Sequence, residues 1–240
     1  MTTFLIDDTI AIDTGSLCRG LELEQQARID HILISHTHLD HISDLAFLAD
    51  NIIGGRTTPV TIHCTRKTVE TLSAHFFNNL VWPDFTKIMM PGTKLPVMQY
   101  KVFSAEAAFE VGPYLVRAYE VKHPVESMAM LLSWDGGTLA YSSDTGPTER
   151  FWAAVSQVTD LKALLCECSF PLEMQWLADV SGHLSPKTLA ESLAKAAINS
   201  DVPVLLYHGK PSHLDVLQRE IHALNDPRLA MLKVHDTFVL

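Results

Sequence analysis

The 240-residue sequence has few of the features that mark nucleic-acid-binding and membrane proteins. It carries 18 basic against 28 acidic side chains, a formal net charge of −10, and its Lys and Arg residues form no run. Because binding to a phosphate backbone depends on clustered positive charge, we expect no polynucleotide partner. No apolar stretch approaches the roughly 18 to 20 residues that a membrane-crossing helix needs, so we expect no membrane partner either.

Cysteine is also scarce, at 4 residues. Two of the four are two positions apart, too close to bridge without strain, and the other two are isolated. All four are therefore expected to be reduced thiols: Cys18, Cys64, Cys166 and Cys168. The first 14 residues carry two early aspartates and no basic segment followed by an apolar one, which is not typical of a secretory leader. These features predict a cytoplasmic protein.

The sequence contains no repeat, no low-complexity tract and no long Pro/Gly/Ser-rich linker, so we expect a single domain over 1–240. Short β-like runs dominate the first half, and helical patterns become more frequent in the second. The predicted strands are 4–13, 31–35, 60–64, 100–103, 114–122, 128–133, 138–142, 161–168, 202–207 and 229–234. The predicted helices are 45–53, 151–158, 186–198 and 214–224. This order favours an α/β fold in which two sheets pack face to face and helices cover both outer faces.

The strongest chemical signal is the hexapeptide His36-Thr37-His38-Leu39-Asp40-His41, which directly follows an apolar strand and precedes a helical pattern. Side chains two apart on an extended strand share a face, so His36 and His38 can bind one metal ion. The turn that follows lets Asp40 and His41 reach a second ion. The alternative is a polar turn whose histidines are accidental.

Three more candidate ligands come where other predicted strands end: His123, Asp144 and His208. Each by itself is more often a surface or hydrogen-bonded residue than a ligand. With the hexapeptide they complete a set of five imidazoles and two carboxylates. Such a set is sufficient for two cations about 3.5 to 4 Å apart.

With these residues the sequence resembles the metallo-β-lactamase superfamily over nearly its whole length. The resemblance implies the αββα four-layer sandwich of that family, with two mixed sheets flanked by helices. It also implies one metal on His36, His38 and His123, a second on Asp40, His41 and His208, and Asp144 bridging the two. Zinc suits these ligands, and manganese and iron are compatible with them.

Three further segments resemble class II cyclic-nucleotide phosphodiesterases. They are the run 75–84 (His-Phe-Phe-Asn-Asn-Leu-Val-Trp-Pro-Asp), the run 167–170 followed by 181–185, and the run 208–211 (His-Gly-Lys-Pro). The resemblance implies hydrolysis of 3′,5′-cyclic nucleotides such as cAMP and cGMP to 5′-monophosphates by a hydroxide that two metal ions activate. A small cyclic nucleotide is then the expected partner.

The same resemblance assigns candidate catalytic roles to His183 near the leaving group, to Glu167 as the residue that orients it, and to Asp40. A satisfied loop histidine and a structural carboxylate are the alternatives for His183 and Glu167. Asp13 could support a metal ligand, although a turn-forming aspartate explains it as well.

Candidate substrate contacts are Lys210, as a point charge for a phosphate, and the residues Phe77, Asn78 and Trp82. The last three lie in an irregular segment, about 75–95, whose composition is typical of a lid or an interface and leaves a homodimer open. The alternatives are a solvated lysine and, for the two aromatic residues, ordinary core packing.

Three other functions remain open on the same ligands. A tRNA 3′-end endonuclease shares the metal-binding pattern, but the acidic balance and the lack of a basic insertion disfavour it. A thioester or lactone hydrolase of the superfamily would polarise a carbonyl with the same metals. A non-catalytic metal-binding scaffold is disfavoured because every predicted ligand is present.

Overall fold

The structure, a computed structural model, describes all 240 residues, which form two compact units, Met1–Ser104 and Ala105–Leu240. Each unit contains one mixed sheet and its own helices. The predicted α/β class with two mixed sheets is therefore confirmed. None of the helices combines the length and the apolar character needed to cross a membrane.

The first unit is built on a five-stranded sheet in the order β1-β2-β3-β4-β5. The first two strands are antiparallel, and the remaining neighbours are parallel. Its elements are β1 (Phe4–Ile6), β2 (Ile10–Ile12), α1 (Leu17–Gly20), α2 (Leu23–Gln26), β3 (His31–Leu33), α3 (Leu39–Ile52), β4 (Val60–Cys64), α4 (Arg66–His75) and β5 (Met98–Val102). The run 4–13, predicted as one strand, is a hairpin, because Asp7 and Asp8 adopt positive φ values of 47° and 58° that aspartate tolerates in turns.

The core of the first unit lies between this sheet and helices α3 and α4. Leu45, Leu48 and Ile52 of α3 are buried in it together with Ile32 and Ile62 of the sheet. Phe47 of the same helix lies outside this core, since its side chain is 47% exposed. At 3.6 residues per turn, position 47 lies about 200° from position 45, on the opposite side of the helix.

The second unit is built on a seven-stranded sheet in the order β12-β11-β10-β9-β8-β7-β6. Strands β6 to β9 are antiparallel to their neighbours, whereas β9 to β12 are parallel. Its elements are β6 (Ala108–Val111), β7 (Tyr114–Val121), β8 (Ser127–Trp134), β9 (Gly137–Tyr141), α5 (Arg150–Val155), β10 (Leu161–Glu167), α6 (Gln175–Ser181), α7 (Pro186–Ala196), β11 (Val204–Tyr207), α8 (Leu214–Ala223) and β12 (Leu229–Met231).

The core of the second unit lies between the sheet and helices α5, α7 and α8. It includes Phe151 and Trp152 of α5, Leu189 of α7 and Leu164 of β10. As the sequence predicts, α7 begins with Ser185 as N-cap and Pro186 in its first turn, and the Ser185 hydroxyl accepts a hydrogen bond from the Thr188 backbone N–H.

Five elements were not predicted from the sequence: helices α1, α2, α4 and α6 and strand β6. Helix α4 and helix α6 are short, and the edge strand β6 has only four residues, most of them exposed or half-exposed. Few of their residues are buried, so each offers few apolar positions from which a period can be read.

Candidate metal centre

In the first unit, the hexapeptide lies where the parallel strand β3 leads into helix α3. His38 is the N-cap of that helix, and Asp40 lies in its first turn. The His36 and His41 rings are fully buried, with centroids 4.1 Å apart, and the His36 and His38 ring centroids are 4.8 Å apart. The structure thus brings the three histidines of this segment together.

A buried aspartate holds two of these histidines. The carboxylate of Asp13 accepts hydrogen bonds from the Ser35 backbone N–H at 2.8 Å, the Ser35 hydroxyl at 2.7 Å and His41 Nδ1 at 2.7 Å. The Ser35 hydroxyl also lies 3.0 Å from His36 Nδ1. Asp13 thus contacts His41 directly and His36 through the Ser35 hydroxyl.

In the second unit, three acidic or histidine residues end neighbouring parallel strands. Glu167 is the last residue of β10, His208 directly follows β11, and Asp144 comes three residues after β9. Because the carboxyl ends of parallel strands meet at one edge of a sheet, these side chains lie close together. His208 Nε2 is 3.1 Å from Asp144 Oδ2, and both side chains are almost fully buried.

His123 reaches the same edge from the antiparallel half of the sheet, two residues after β7. One ligand atom each from His123, Asp144 and His183 lies within 4.8 Å of the other two. His123 Nδ1 is 2.9 Å from the carbonyl oxygen of Gly182, the residue that ends α6 in the left-handed conformation. A Cβ at position 182 would lie 3.0 Å from His123 Cα, so glycine permits this close approach.

These hydrogen bonds are compatible with a metal site. Carboxylate and carbonyl oxygens can only accept, so in the neutral imidazole the Nδ1 atoms of His41 and His123 carry the hydrogen. Their Nε2 atoms are then the ones able to coordinate a cation. Imidazole nitrogen bound through Nε2, oriented by a partner on Nδ1, is the usual arrangement around zinc.

The backbone is strained where the predicted ligands lie. Asp13, Ser143 and His208 have φ values of 56°, 54° and 69°, in the left-handed region that non-glycine residues seldom adopt. Each such residue costs on the order of 1 kcal/mol or more. Strained conformations of this kind cluster at functional sites. Asp13 directly follows β2, Ser143 lies two residues after β9 and next to Asp144, and His208 directly follows β11.

His183 lies beside this cluster and is held by Glu167. Its Nδ1 atom is 2.8 Å from Glu167 Oε1, and its ring stacks on His208 with centroids 5.1 Å apart. Burial by itself would lower the pKa of His183, but the hydrogen bond and the charge of Glu167, together with the charge of Asp144, raise it above its usual value. Since Nδ1 donates to the carboxylate, Nε2 is the atom able to exchange a proton with a substrate.

The four residues predicted to contact the substrate lie in different surroundings. The Lys210 ammonium lies 5.6 Å from the centre of the Phe170 ring, which in turn contacts His183. Phe77 packs in the core of the first unit and is 3% exposed, so its ring offers no accessible face for a base.

The other two contacts belong to the turn that follows α4. The side-chain oxygen of Asn78 accepts hydrogen bonds from the backbone N–H groups of Leu80 and Val81. Its side-chain nitrogen donates to the backbone carbonyl oxygen of Ala74 in α4. Trp82 is half-buried and donates from its indole nitrogen to the Ala46 carbonyl oxygen.

Sequence reasoning gave no role to two buried serines that contact predicted ligands. Ser35 contacts His36, and Ser169 contacts His208 and Glu167. Ser35 directly precedes His36, and Ser169 lies in the run 167–170 that resembles class II phosphodiesterases, so both positions carried a signal in the sequence.

Buried histidines and carboxylates thus lie near strand ends in each of the two mixed sheets, and side chains of these types can coordinate metal ions. The family model described as "Beta-lactamase superfamily domain" matches residues 8–206, and the chain belongs to this family. The predicted superfamily and its metallo-β-lactamase fold are thereby confirmed.

Two curated relatives carry the name of an activity. The chain is 30% identical over 208 residues to the "Probable 3′,5′-cyclic-nucleotide phosphodiesterase" of Yersinia pestis, a match that covers 77% of this chain and 58% of that protein. It is 29% identical over 228 residues to "3′,5′-cyclic-nucleotide phosphodiesterase 1" of Saccharomyces cerevisiae, covering 83% of this chain and 59% of that protein. The chain thus spans less than two thirds of the length of these relatives.

Among solved structures, the crystal structure of unliganded yeast PDE1 is similar with a TM-score of 0.75 and 24% sequence identity. The match covers 87% of this chain and 67% of that one. At this level of identity the likeness shows the fold.

Proposed function

We propose that this chain is a metal-dependent phosphodiesterase that hydrolyses 3′,5′-cyclic nucleotides to nucleoside 5′-monophosphates. The observation that carries the proposal is His183, oriented by a buried carboxylate and stacked on His208 beside Asp144. This arrangement provides a proton donor next to predicted metal ligands. The names of the two curated relatives supply the substrate class.

The proposed metal ligands are those predicted from the sequence. The residues that would hold one divalent cation are His36, His38 and His123, those that would hold a second are Asp40, His41 and His208, and Asp144 would contribute to both. Such cations lower the pKa of water and offset the charge of phosphate oxygens. Zinc is the proposed metal, with manganese or iron as alternatives, because imidazole and carboxylate ligands suit all three.

The protein's own residues act on the leaving group. In the proposed reaction a water molecule gives up one proton to the solvent and its oxygen adds to phosphorus. The bond from phosphorus to the 3′ oxygen breaks, and that oxygen takes up a proton. His183 supplies the proton from Nε2, while Glu167 holds its Nδ1. Lys210 contacts a phosphate oxygen as a point charge, since its ammonium lies near Phe170 on the His183 side of the cluster.

The proposal extends to location and assembly. A cytoplasmic location is supported by the four cysteines, which are all free thiols and of which three are buried.

The exposed side chains of Leu80 and Val81, in the segment 75–95, support a role for this segment in a lid or a homodimer.

The test is a comparison of substrates with the zinc- or manganese-loaded protein. We expect 5′-AMP from cyclic AMP, and loss of that activity after chelation. Absence of turnover of both cyclic AMP and cyclic GMP by a protein that carries two metal ions per chain would refute the proposal. Cleavage of precursor tRNA or of a thioester in the same series would replace it with one of the rival activities.

A further inference from the structure

The Ser169 hydroxyl contacts three polar side chains of the second unit: Glu167, His183 and His208. Its Oγ atom lies 2.7 Å from Glu167 Oε2, 2.9 Å from His208 Nδ1 and 3.3 Å from His183 Nδ1. The side chain is completely buried. A single hydroxyl thus touches a predicted metal ligand, the candidate proton donor and the carboxylate that orients that donor.

The direction of these hydrogen bonds follows from the chemistry of the partners. A hydroxyl has one hydrogen to donate, and a carboxylate can only accept, so the Ser169 O–H donates to Glu167 Oε2. The serine oxygen is then an acceptor toward His208. The hydrogen of the His208 imidazole consequently lies on Nδ1, and its Nε2 lone pair points toward Asp144, whose Oδ2 is 3.1 Å away.

His183 does not replace His208 as the donor to the serine oxygen. Its Nδ1 atom is closer to Glu167 Oε1, at 2.8 Å, than to the serine oxygen. Glu167 also accepts the Thr145 backbone N–H at 3.0 Å, so three donors fix the carboxylate. The two histidines are therefore connected through one buried Ser–Glu pair.

We propose that Ser169 is a positioning residue that holds His208 in the Nδ1–H tautomer, presents Nε2 to a divalent cation, and links this ligand to the carboxylate that orients His183. The inference rests on the proposed metal centre. It assigns to Ser169 no contact with substrate.

The first unit contains the same device. There the Ser35 hydroxyl donates to Asp13 Oδ2 and faces His36 Nδ1, while the same carboxylate oxygen accepts from His41 Nδ1. In each unit, therefore, a serine and a carboxylate together contact two histidines. The repetition favours a role in holding ligands over a role in filling space.

The first measurement is the tautomer of His208 in the zinc-loaded wild-type protein. A long-range ¹H–¹⁵N spectrum of the imidazoles distinguishes a ring that carries its hydrogen on Nδ1 from one that carries it on Nε2. We expect a slowly exchanging Nδ1–H for His208. An Nε2–H tautomer, with zinc on Nδ1, would overturn the inference without any variant having to fold.

The second measurement is zinc affinity in matched variants. Loss of a hydrogen-bond partner of a ligand typically costs about 10- to 100-fold in metal affinity. We expect Ser169→Ala to bind one of its two zinc ions weaker by this factor and to lose the slow Nδ1–H signal. Ser169→Thr, which keeps the hydroxyl, should restore both. The control is Ser192→Ala, which removes a buried serine of α7 and should leave both unchanged.

The outcomes separate the inference from the proposed centre. A wild-type protein that binds fewer than two zinc ions would overturn the proposed centre, and the inference with it. A wild-type protein that binds two, together with a folded Ser169→Ala protein of equal affinity, would overturn the role of Ser169 alone. Equal weakening in folded Ser169→Ala and Ser169→Thr proteins would also overturn it, since the hydroxyl would then not matter.

Discussion

At the scale of single residues, neighbours determine which atom a histidine offers to a metal or a substrate. His41 faces Asp13, His123 faces the Gly182 carbonyl, and His183 faces Glu167, each through Nδ1. In all three the hydrogen lies on Nδ1, so Nε2 is the nitrogen that can act as a ligand or exchange a proton. The difference between a ligand and a proton donor must therefore come from what lies near Nε2.

This distinction predicts the behaviour of His183→Ala. We expect a fall in turnover of cyclic AMP of about 10²- to 10⁴-fold, the usual contribution of a general acid. Metal content, measured by elemental analysis, should stay at the wild-type value. Loss of metal in this variant would make His183 a ligand or a support for one. His222→Ala, on the exposed side of α8, is the control and should change neither quantity.

Gly15 is predicted to be irreplaceable for a steric reason. A Cβ on this residue would overlap the backbone carbonyl oxygen of Asp40, at the start of α3. We expect Gly15→Ala to lower the free energy of unfolding by about 1 to 3 kcal/mol or more, because backbone must move to relieve the overlap. Gly20→Ala, where a Cβ would meet nothing within 4 Å, should be tolerated. Equal stability of the two variants in urea unfolding would contradict the steric argument.

At the scale of elements, helix α3 fixes the position of the hexapeptide. Its N-terminus begins immediately after His38, and its buried face anchors it to the sheet of the first unit. A rigid helix start holds His41 and Asp40 in place better than a loop would. Packing of this helix is therefore a condition for the proposed site.

Adjacent residues of α3 provide a matched test of that packing. Leu48 is fully buried, whereas Phe47 is 47% exposed and contacts the edge of Trp82. We expect Leu48→Ala to lower the free energy of unfolding by about 2 to 5 kcal/mol, because it leaves a cavity. Phe47→Ala should cost much less. Denaturant unfolding of the two variants measures both values, and a larger loss in Phe47→Ala would show that the buried face is misassigned.

At the scale of the whole molecule, the acidic balance takes on a different meaning once metal ions are included. Two divalent cations would bring the formal charge from −10 to about −6 and concentrate positive charge at the ligands. The net charge is thus no obstacle to a small phosphate-bearing substrate. A polynucleotide needs an extended basic surface, and the sequence has no run of Lys and Arg residues.

Metal removal should also affect the stability of the molecule. A ligand that binds only the folded state stabilises it by about 2.7 kcal/mol at a concentration 100 times its Kd. We expect chelation to lower Tm by several degrees and re-addition of zinc to restore it, as measured by calorimetry. An unchanged Tm, at a zinc concentration well above the measured Kd, would argue against metals bound preferentially by the native protein.

The family, most strands and the candidate ligands could be predicted from the amino-acid sequence alone. Ligands at strand ends are readable because an apolar run, its end and the polar residue after it are all local; His36 after β3 and His208 after β11 are examples. The N-cap of α7 is local in the same way. The resemblance to metal-dependent hydrolases followed from these local patterns.

Which partners each side chain contacts could not be predicted in this way. Ser169 and His208 are 39 positions apart, and Asp13 and His41 are 28 apart, so no local pattern shows that they touch. The same holds for Phe77, whose burial depends on the sheet and helices around it. Hydrogen-bond partners and burial depend on how distant segments pack, whereas strand ends and helix caps depend on neighbours along the chain.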